Sequence, residues 1–571
     1  MFGGLQRQLR YCLLAVVSFL ALQFLLVLLL MHYGLFEDTL TKRLTLNHEQ
    51  LSLDLELGWR DFVALTPKRT KDLYQYNQNL SDKYGPLRAL PTVQHDSCNK
   101  RTYTLPHASR ARISVIISYY NEARSVLLRT LVSLIKRTPE DYLHELVVID
   151  DYSDDELLLQ SLNEILGHIY ATRGQLTFVF KRNLHRKGLI QSRNDGAQAA
   201  TGNYLFFLDS HCEVNEGWLE PLLDRLIQNP QMAVSPLLDA IDPASLEYTS
   251  GNALLKGGFD WSLHFHWLPR VLEKQESEAQ EYRSPSFSGG VFMISRDWFL
   301  KLRGFNTQLQ TWGGESIELA VKLWLCGGQI EIVPCSRIGH IFRPRHAFEF
   351  PSQLDAALDT AQATYLRNSK IIAESWLDEY KYLFYALKPA AKQIPLNLAD
   401  QLHNVEQLKQ ELQCKPFAWF LRYVCPELKL QHAEFSAVGT LRNGERCLHV
   451  AQIFPELQLL LVSCYQQDLT QWRLHRESGQ LSTESKRCLG VVLQLPLKPR
   501  LTLEPCMSTS GATEHDWAHS QRWLRRKTQL LHASSQLCVD NPIIDRVELS
   551  TCRPFAISQA FHFSLEIEAQ R

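Results

Sequence analysis

Between residues 113 and 227 short apolar runs alternate with longer amphipathic stretches four times in succession, and this rhythm restricts the fold more than any other feature. The pairs are 113–118 then 122–136, 146–149 then 155–166, 176–180 then 189–200, and 204–208 then 217–227. An apolar run of about four to eight residues reads as a buried strand, and apolar residues at three- and four-residue spacing make a helix with one buried side. Strict alternation predicts an α/β, Rossmann-like fold whose mostly parallel sheet is covered on both faces. Ligands of such sheets sit in the crevice outside the strand carboxyl ends.

Those ends carry the chemistry. The first strand runs out at Ser118-Tyr119-Tyr120-Asn121-Glu122, the second at Asp150-Asp151-Tyr152-Ser153 and the fourth at Asp209-Ser210-His211. Asp150-Asp151 alone fits equally well as an Asx-type cap of the next helix. Asp209 and His211 are more specific: a carboxylate and an imidazole two residues apart can chelate one divalent cation beside a nucleotide diphosphate. The combination points to a sugar-nucleotide-dependent glycosyltransferase.

Charge excludes other classes. With 60 Lys+Arg against 61 Asp+Glu and no long basic block, neither nucleic acid nor a membrane surface is an expected partner. A chain of 571 residues is too long for one domain. Residues 12–31 form an uncharged apolar run long enough to cross a bilayer of roughly 30 Å, preceded by Arg7 and Arg10 and followed by Glu37 and Asp38. They predict a retained anchor, a cytosolic tail over 1–11 and type II topology, with a polar stem over 32–95. Twelve of the 13 cysteines lie outside the anchor, and Cys447/Cys464, Cys488/Cys506 and Cys538/Cys552 recur regularly, as disulfides in an oxidising lumen would. Asn79-Leu80-Ser81 is an N-glycosylation tripeptide.

Six phrases, in order, resemble the polypeptide N-acetylgalactosaminyltransferases: Asn121-Glu122-Ala123-Arg124-Ser125, Asp150-Asp151-Tyr152-Ser153, Asp209-Ser210-His211-Cys212-Glu213, Lys256-Gly257-Gly258-Phe259-Asp260-Trp261, Trp312-Gly313-Gly314-Glu315 and Cys335-Ser336-Arg337-Ile338-Gly339-His340. The resemblance implies a Golgi type II enzyme with a GT-A catalytic domain over 96–430 and a ricin-type β-trefoil lectin domain over 434–567. It implies transfer of GalNAc from UDP-GalNAc to Ser or Thr of polypeptides or glycopeptides, with Mn²⁺ and retention of configuration.

By that resemblance His340 joins Asp209 and His211 as a metal ligand, a mixed O/N set that suits Mn²⁺ better than Ca²⁺. Ser118 and Asp151 are expected to hold the uridine, and Arg186 and Arg193 to lie near the nucleotide sugar. Ser210 and Ser288-Gly289-Gly290 border the donor. Arg343, His346 and Phe348 belong to a loop that closes over the diphosphate and excludes water. Trp312 and Glu315 face the reacting sugar, Glu315 orienting rather than attacking, while Phe259 and Trp261 point towards the acceptor. Disulfides Cys98–Cys335 and Cys326–Cys414 are implied too, leaving Cys212 and Cys425 unassigned.

Ser288, Ser316 and Phe348 depart from the family pattern, which has Ala, Asn and Tyr there. The lost phenol is a hydrogen bond worth about 1 kcal/mol, so slower turnover rather than abolition is expected. Trp472, Trp523 and Phe561 mark three approximate repeats, the middle one lengthened around residues 508–515. Of the acids that contact sugar in ricin-type lectins only Asp540 is present, because His449 and Gly490 stand in the other repeats. Two readings compete with an active transferase: a catalytically weak or silent Golgi glycopeptide-binding protein, and a transferase using another UDP-sugar.

Overall fold

The computed structural model describes residues 51–66, 73–107, 110–170, 176–350, 360–428, 435–453, 456–464, 469–483, 485–492, 498–507, 520–543 and 546–566. The expected tail (1–11), the anchor (12–31) and the lengthening at 508–515 lie outside them. Among the described residues no helix is long and apolar enough to cross a membrane.

The alternation seen in the sequence forms as β1 (Ile113–Tyr119), α3 (Arg124–Arg137), β2 (Leu143–Asp150), α4 (Leu158–Tyr170), β3 (Thr177–Arg182), α5 (Leu189–Ala199), β4 (Tyr204–Asp209) and α6 (Leu219–Gln228), after α1 (Leu51–Ala64) and α2 (Gln78–Lys83). β1 pairs in parallel with β2 and β4, and β2 with β3. Alternate side chains of β4 enter opposite layers: Phe206 and Leu208 join the core on one face of the sheet, Leu205 and Phe207 that on the other. This double burial is why the strands read as continuous apolar runs.

The expectation of a mostly parallel sheet fails beyond β4, where the sheet is mixed. β5 (Cys212–Val214), β6 (Met232–Ile241), β7 (Tyr248–Thr249), β10 (Tyr282–Arg283), β11 (Phe292–Ser295) and β12 (Gln329–Ile341) complete it, with a separate hairpin of β8 (Leu255–Phe259) and β9 (Phe265–Pro269). Only β6 and β12 pair in parallel there; β11 runs antiparallel to both β4 and β6, and β5, β7 and β10 are antiparallel to their neighbours. No helical crossover precedes β11, and a parallel pairing needs one of about a dozen residues. Helices α7 (Arg296–Lys301), α8 (Glu315–Leu325) and α9 (Thr360–Trp376) follow in turn, and α10 (Lys381–Leu387), α11 (Ala399–Glu411) and α12 (Phe417–Tyr423) lead out of this unit.

The described part of the expected stem is not a free tether. Trp59 and Phe62 of α1 enter the core beside Ile165 and Leu166 of α4, and Tyr74, Tyr76 and Ser81 are buried. These aromatics are scattered among polar residues, so no periodic run announces them.

From residue 435 the described chain forms only strands and one short 3-10 turn. Trp472, Trp523 and Phe561 meet in its core, and the Trp472 and Trp523 indoles donate to the Leu448 and Leu489 carbonyls at 2.8 and 2.7 Å. Each carbonyl follows the first cysteine of its repeat, so two repeats are built alike.

All five expected disulfides form: Cys98–Cys335, Cys326–Cys414, Cys447–Cys464, Cys488–Cys506 and Cys538–Cys552. Cys212 and Cys425 are free and buried. The two halves of a repeat's disulfide differ in setting. Cys447, Cys488 and Cys538 lie inside strands and are buried, whereas Cys506 and Cys552 stand one residue past the strands Arg500–Pro505 and Arg546–Thr551 and are only half-buried. In the second and third repeats the bridge therefore ties a strand end near the surface back to the core, whereas Cys464 of the first repeat is itself buried.

Candidate active site

Register assembles the site. Ser118 stands opposite Asp209 across the β1–β4 pair, and Tyr119 opposite Asp150 across β1–β2. Ser210-His211 turns the chain from β4 into β5, where Cys212 faces His340 of β12. The antiparallel half of the sheet thus delivers His340 to the end of the parallel half. Its Nε2 lies 3.5 Å from Asp209 Oδ2, and one ligand atom from each of Asp209, His211 and His340 falls within 4.8 Å of the others.

The donor set fits a divalent ion. Burial alone would raise the Asp209 pKa, but Arg193, His340 and His211 hold its carboxyl well below the usual range. His211 is lowered to about 4, first by burial and then by the Arg343 charge, so its imidazole is neutral at ordinary pH as a metal ligand must be. Glu122 Oε2, 3.1 Å from His211 Nδ1, can only accept, and this closer charged contact outweighs the donor Arg343 Nη2 at 3.3 Å, favouring the proton on Nδ1 and leaving the Nε2 lone pair for a cation. Burial would raise the Glu122 pKa as well, yet Arg343, His211 and Ser210 keep it ionised. A Cβ on Gly290 would collide with Asp209 Oδ2 and Arg193 Nη2, so only glycine leaves room beside the carboxylate.

These groups open into a cavity of about 650 Å³, of the size that accepts a cofactor-sized ligand. Ser118, Asp151, Arg186, Ser210, Trp312 and Phe348 are among its walls. The Ser118 hydroxyl is buried with no protein partner. Asp151 accepts from Asn183 Nδ2 (2.9 Å) and from the Lys187 and Gly188 amides (both 2.8 Å), fixing the turn into α5. Arg193, on that helix, is buried rather than solvated: it donates to Asp209 Oδ1 at 2.7 Å and reaches Glu315 Oε1 at 3.4 Å.

The loop arginines are engaged with protein. Arg186 lies over the Tyr120 ring at 3.8 Å, donates to the Glu349 carbonyl at 2.7 Å and sits 5.4 Å from the Phe348 ring. Arg343 Nη2 donates to Glu122 Oε2 at 2.6 Å, behind the metal ligands. His346 meets Trp312 edge-on at 4.4 Å, and burial lowers its pKa. Gly313 and Gly314 have φ of 105° and 84°, which permits the turn that lets Glu315 Oε2 accept from the Gly313 amide at 2.9 Å.

Several expected residues meet other surroundings. Phe259 is 2% exposed and stacks on Phe420 at 5.7 Å, so it packs in the core instead of facing an acceptor, while Trp261 stacks on Tyr380 at 6.3 Å and is only partly buried. Asp540 is 1% exposed, and its Oδ2 accepts from Ser550, Gln559 and Arg553, while its Oδ1 is buried with no protein partner, so the third-repeat acid is held in place by one oxygen and keeps the other unclaimed. Cys506 and Cys552 do not line this cavity; their disulfides to Cys488 and Cys538 hold the all-β unit together. The Cys552 sulfur, half-buried, lies 3.8 Å from the Gln536 carbonyl, beside the turn that leads into Cys538. Asn79 is exposed on α2.

Sequence reasoning assigned no role to Glu122 or Asn368. Glu122 appears at a strand exit, the one signal available. Asn368, in mid-helix on α9, donates to the Gln310, Trp312 and Gly313 carbonyls at 2.9–3.3 Å and accepts from the Gln310 amide at 2.9 Å. Asn368→Ala is expected to lower stability by about 2–3 kcal/mol, because buried carbonyls lose their donor, measured by denaturant unfolding.

A strand-end Asp-His-His cluster on a mixed α/β sheet beside a large cleft defines a glycosyltransferase. Residues 114–303 match the model of Glycosyl transferase family 2, and 272–347 that of the N-terminal domain of galactosyltransferase. A Drosophila melanogaster protein provisionally named polypeptide N-acetylgalactosaminyltransferase 13 is 54% identical, covering 98% of either chain. Human polypeptide N-acetylgalactosaminyltransferase 16 is 35% identical over 85% of this chain and 84% of its own. The crystal structure of GalNAc-T7 with UDP, GalNAc and Mn²⁺ matches with a TM-score of 0.66 at 26% identity, covering 92% of either chain. The chain belongs to the polypeptide N-acetylgalactosaminyltransferase family.

Proposed function

We propose that this chain transfers GalNAc from UDP-GalNAc to Ser or Thr hydroxyls of polypeptides, with Mn²⁺ held by Asp209, His211 and His340 and with retention of configuration. The observation that carries this reading is the convergence of those three ligands within 4.8 Å in a cavity that Trp312 and Glu315 also line. When bound, the ion supplies Lewis-acid stabilisation of the charge that develops on the leaving diphosphate.

The rest is the work of side chains. The free Ser118 hydroxyl and the remaining lone pair of Asp151 Oδ2 suit the nucleoside. Arg193 locks Asp209 and Glu315 into one charged row, so neither carboxylate moves as charge shifts. The acceptor oxygen bonds to the sugar C1 as the bond from C1 to the phosphate oxygen breaks. The hydroxyl proton passes to a β-phosphate oxygen on the same face, and UDP leaves. Glu315 orients the hydroxyls without bonding to C1, and the Trp312–His346 contact closes the site against water.

A second cavity, of about 340 Å³, shares Trp312 and His346 with the first and continues past His264 and Tyr365 to Thr440 and Leu469 of the all-β unit. It offers the acceptor a route to the donor cavity past Trp312. The two equivalent indole–carbonyl bonds support a ricin-type β-trefoil for that unit. The apolar run at 12–31 supports a Golgi type II anchor with the catalytic unit in the lumen.

The test is a donor panel of UDP-GalNAc, UDP-GlcNAc and UDP-galactose against naked and GalNAc-bearing Ser/Thr peptides. Fastest turnover with UDP-GalNAc is expected. Faster transfer from another donor, or binding without transfer to any peptide, would sink the reading in favour of one of its two competitors.

A further inference from the structure

The segment ahead of the catalytic sheet reaches the back of the metal site. Tyr76, 7% exposed, donates its phenol proton to Glu122 Oε1 at 2.7 Å. The other carboxylate oxygen, Oε2, takes Ser210 Oγ at 2.7 Å, His211 Nδ1 at 3.1 Å and Arg343 Nη2 at 2.6 Å. The Tyr76 ring also carries the Arg343 guanidinium, 5.3 Å from its centroid. It packs in a small apolar cluster with Ala123 and Ile341, the neighbours of Glu122 and His340 in sequence. Asn77, the next residue, pins the segment through its amide to the Pro243 carbonyl (2.7 Å) and through Nδ2 to the Ala244 carbonyl (3.0 Å).

We propose that Tyr76 is a positioning residue for the metal site, setting the rotation of the Glu122 carboxylate and through it the orientation and tautomer of His211. The chemistry is that of an outer-shell partner. A carboxylate turns freely about its terminal bond unless both oxygens are held, and only one rotation aims Oε2 at His211 Nδ1. Ser210, His211 and Arg343 all crowd Oε2, whereas Oε1 accepts from the Ala123 amide at 3.2 Å and from Tyr76 at 2.7 Å, so Tyr76 is the shorter of the two contacts on Oε1 and the one that a side chain supplies. Burial and the neighbouring Glu122 push the phenol pKa well above 10, so the hydroxyl remains a donor wherever the enzyme works. Nothing else the phenol does in the structure requires a hydroxyl, because a phenylalanine ring would fill the same cluster and carry the same guanidinium.

The inference rests on the metal reading above and separates from it in one experiment. Mn²⁺ alone is titrated into the purified full chain, and free Mn²⁺ is followed by electron paramagnetic resonance, for wild type, Tyr76→Phe and Asn77→Ala. Loss of an outer-shell partner of a metal ligand weakens binding about 10- to 100-fold. Tyr76→Phe is expected at the lower end, about 10-fold weaker, with its thermal midpoint lowered only by the loss of one buried hydrogen bond. Asn77→Ala is expected to lower the thermal midpoint and leave Mn²⁺ affinity within about twofold of wild type, since it loosens docking without touching Glu122. Equal affinity in Tyr76→Phe and wild type would overturn the role of Tyr76 alone. Equal weakening in both variants would assign the effect to docking and overturn it too. A wild-type chain that binds no Mn²⁺ would remove the metal reading together with this one.

Discussion

Asp209→Asn is expected to reduce transfer at least about 1,000-fold while leaving the protein folded. Asparagine keeps the volume and one acceptor oxygen, but it removes the charge that faces both the cation and Arg193. Charge stabilisation by a catalytic cation is worth several kcal/mol, and about 4 kcal/mol corresponds to that factor in rate. Arg193 keeps Glu315 as a partner, so the substitution does not strand a buried cation and the fold survives. The measurement pairs turnover at saturating UDP-GalNAc with a Mn²⁺ titration. Affinity and rate are expected to fall together, and a variant with normal Mn²⁺ affinity would place the ion elsewhere.

Glu315→Gln is expected to lower kcat about 100-fold with the donor KM within about threefold, the pattern of a group that acts more on the transition state than on binding. Glu315 sits at the start of α8, nearly buried, with Oε2 accepting from the Gly313 amide and Oε1 facing Arg193. Glutamine preserves the amide acceptor and removes the charge. A covalent sugar trapped on residue 315 by mass spectrometry would contradict the orienting role, as would an unchanged kcat.

The parts of this site visible in the sequence are those whose partners are close in the chain. Asp209 and His211 announce themselves because a buried strand ends in them. His340 is different: it lies 129 positions further on, and the β5–β12 pairing that seats it belongs to the antiparallel half of the sheet, which no helical alternation signals. It is legible only through its phrase in the family resemblance. Glu122 and Tyr76 act through contacts 89 and 46 residues apart in sequence, with no periodicity to expose them. Phe259 shows the opposite failure. An aromatic beside a glycine pair looks available for a ligand, and the helix that carries Phe420 claims it instead. Asp540 is a motif residue with partners the sequence does not announce, Ser550, Gln559 and Arg553 on Oδ2, and with a buried Oδ1 that no protein group claims. The repeat cysteines are the simplest case: Cys488–Cys506 and Cys538–Cys552 join residues only 18 and 14 positions apart, so their spacing alone exposes them.

The most direct measurement is the linkage formed when the full chain, UDP-GalNAc, Mn²⁺ and a naked Ser/Thr peptide are incubated together and the glycopeptide is analysed by proton NMR. An α-linked GalNAc on a Ser or Thr oxygen, formed with Mn²⁺ and lost on chelation, is the predicted result. A β-linkage, or release of free GalNAc with no glycopeptide, would contradict the account.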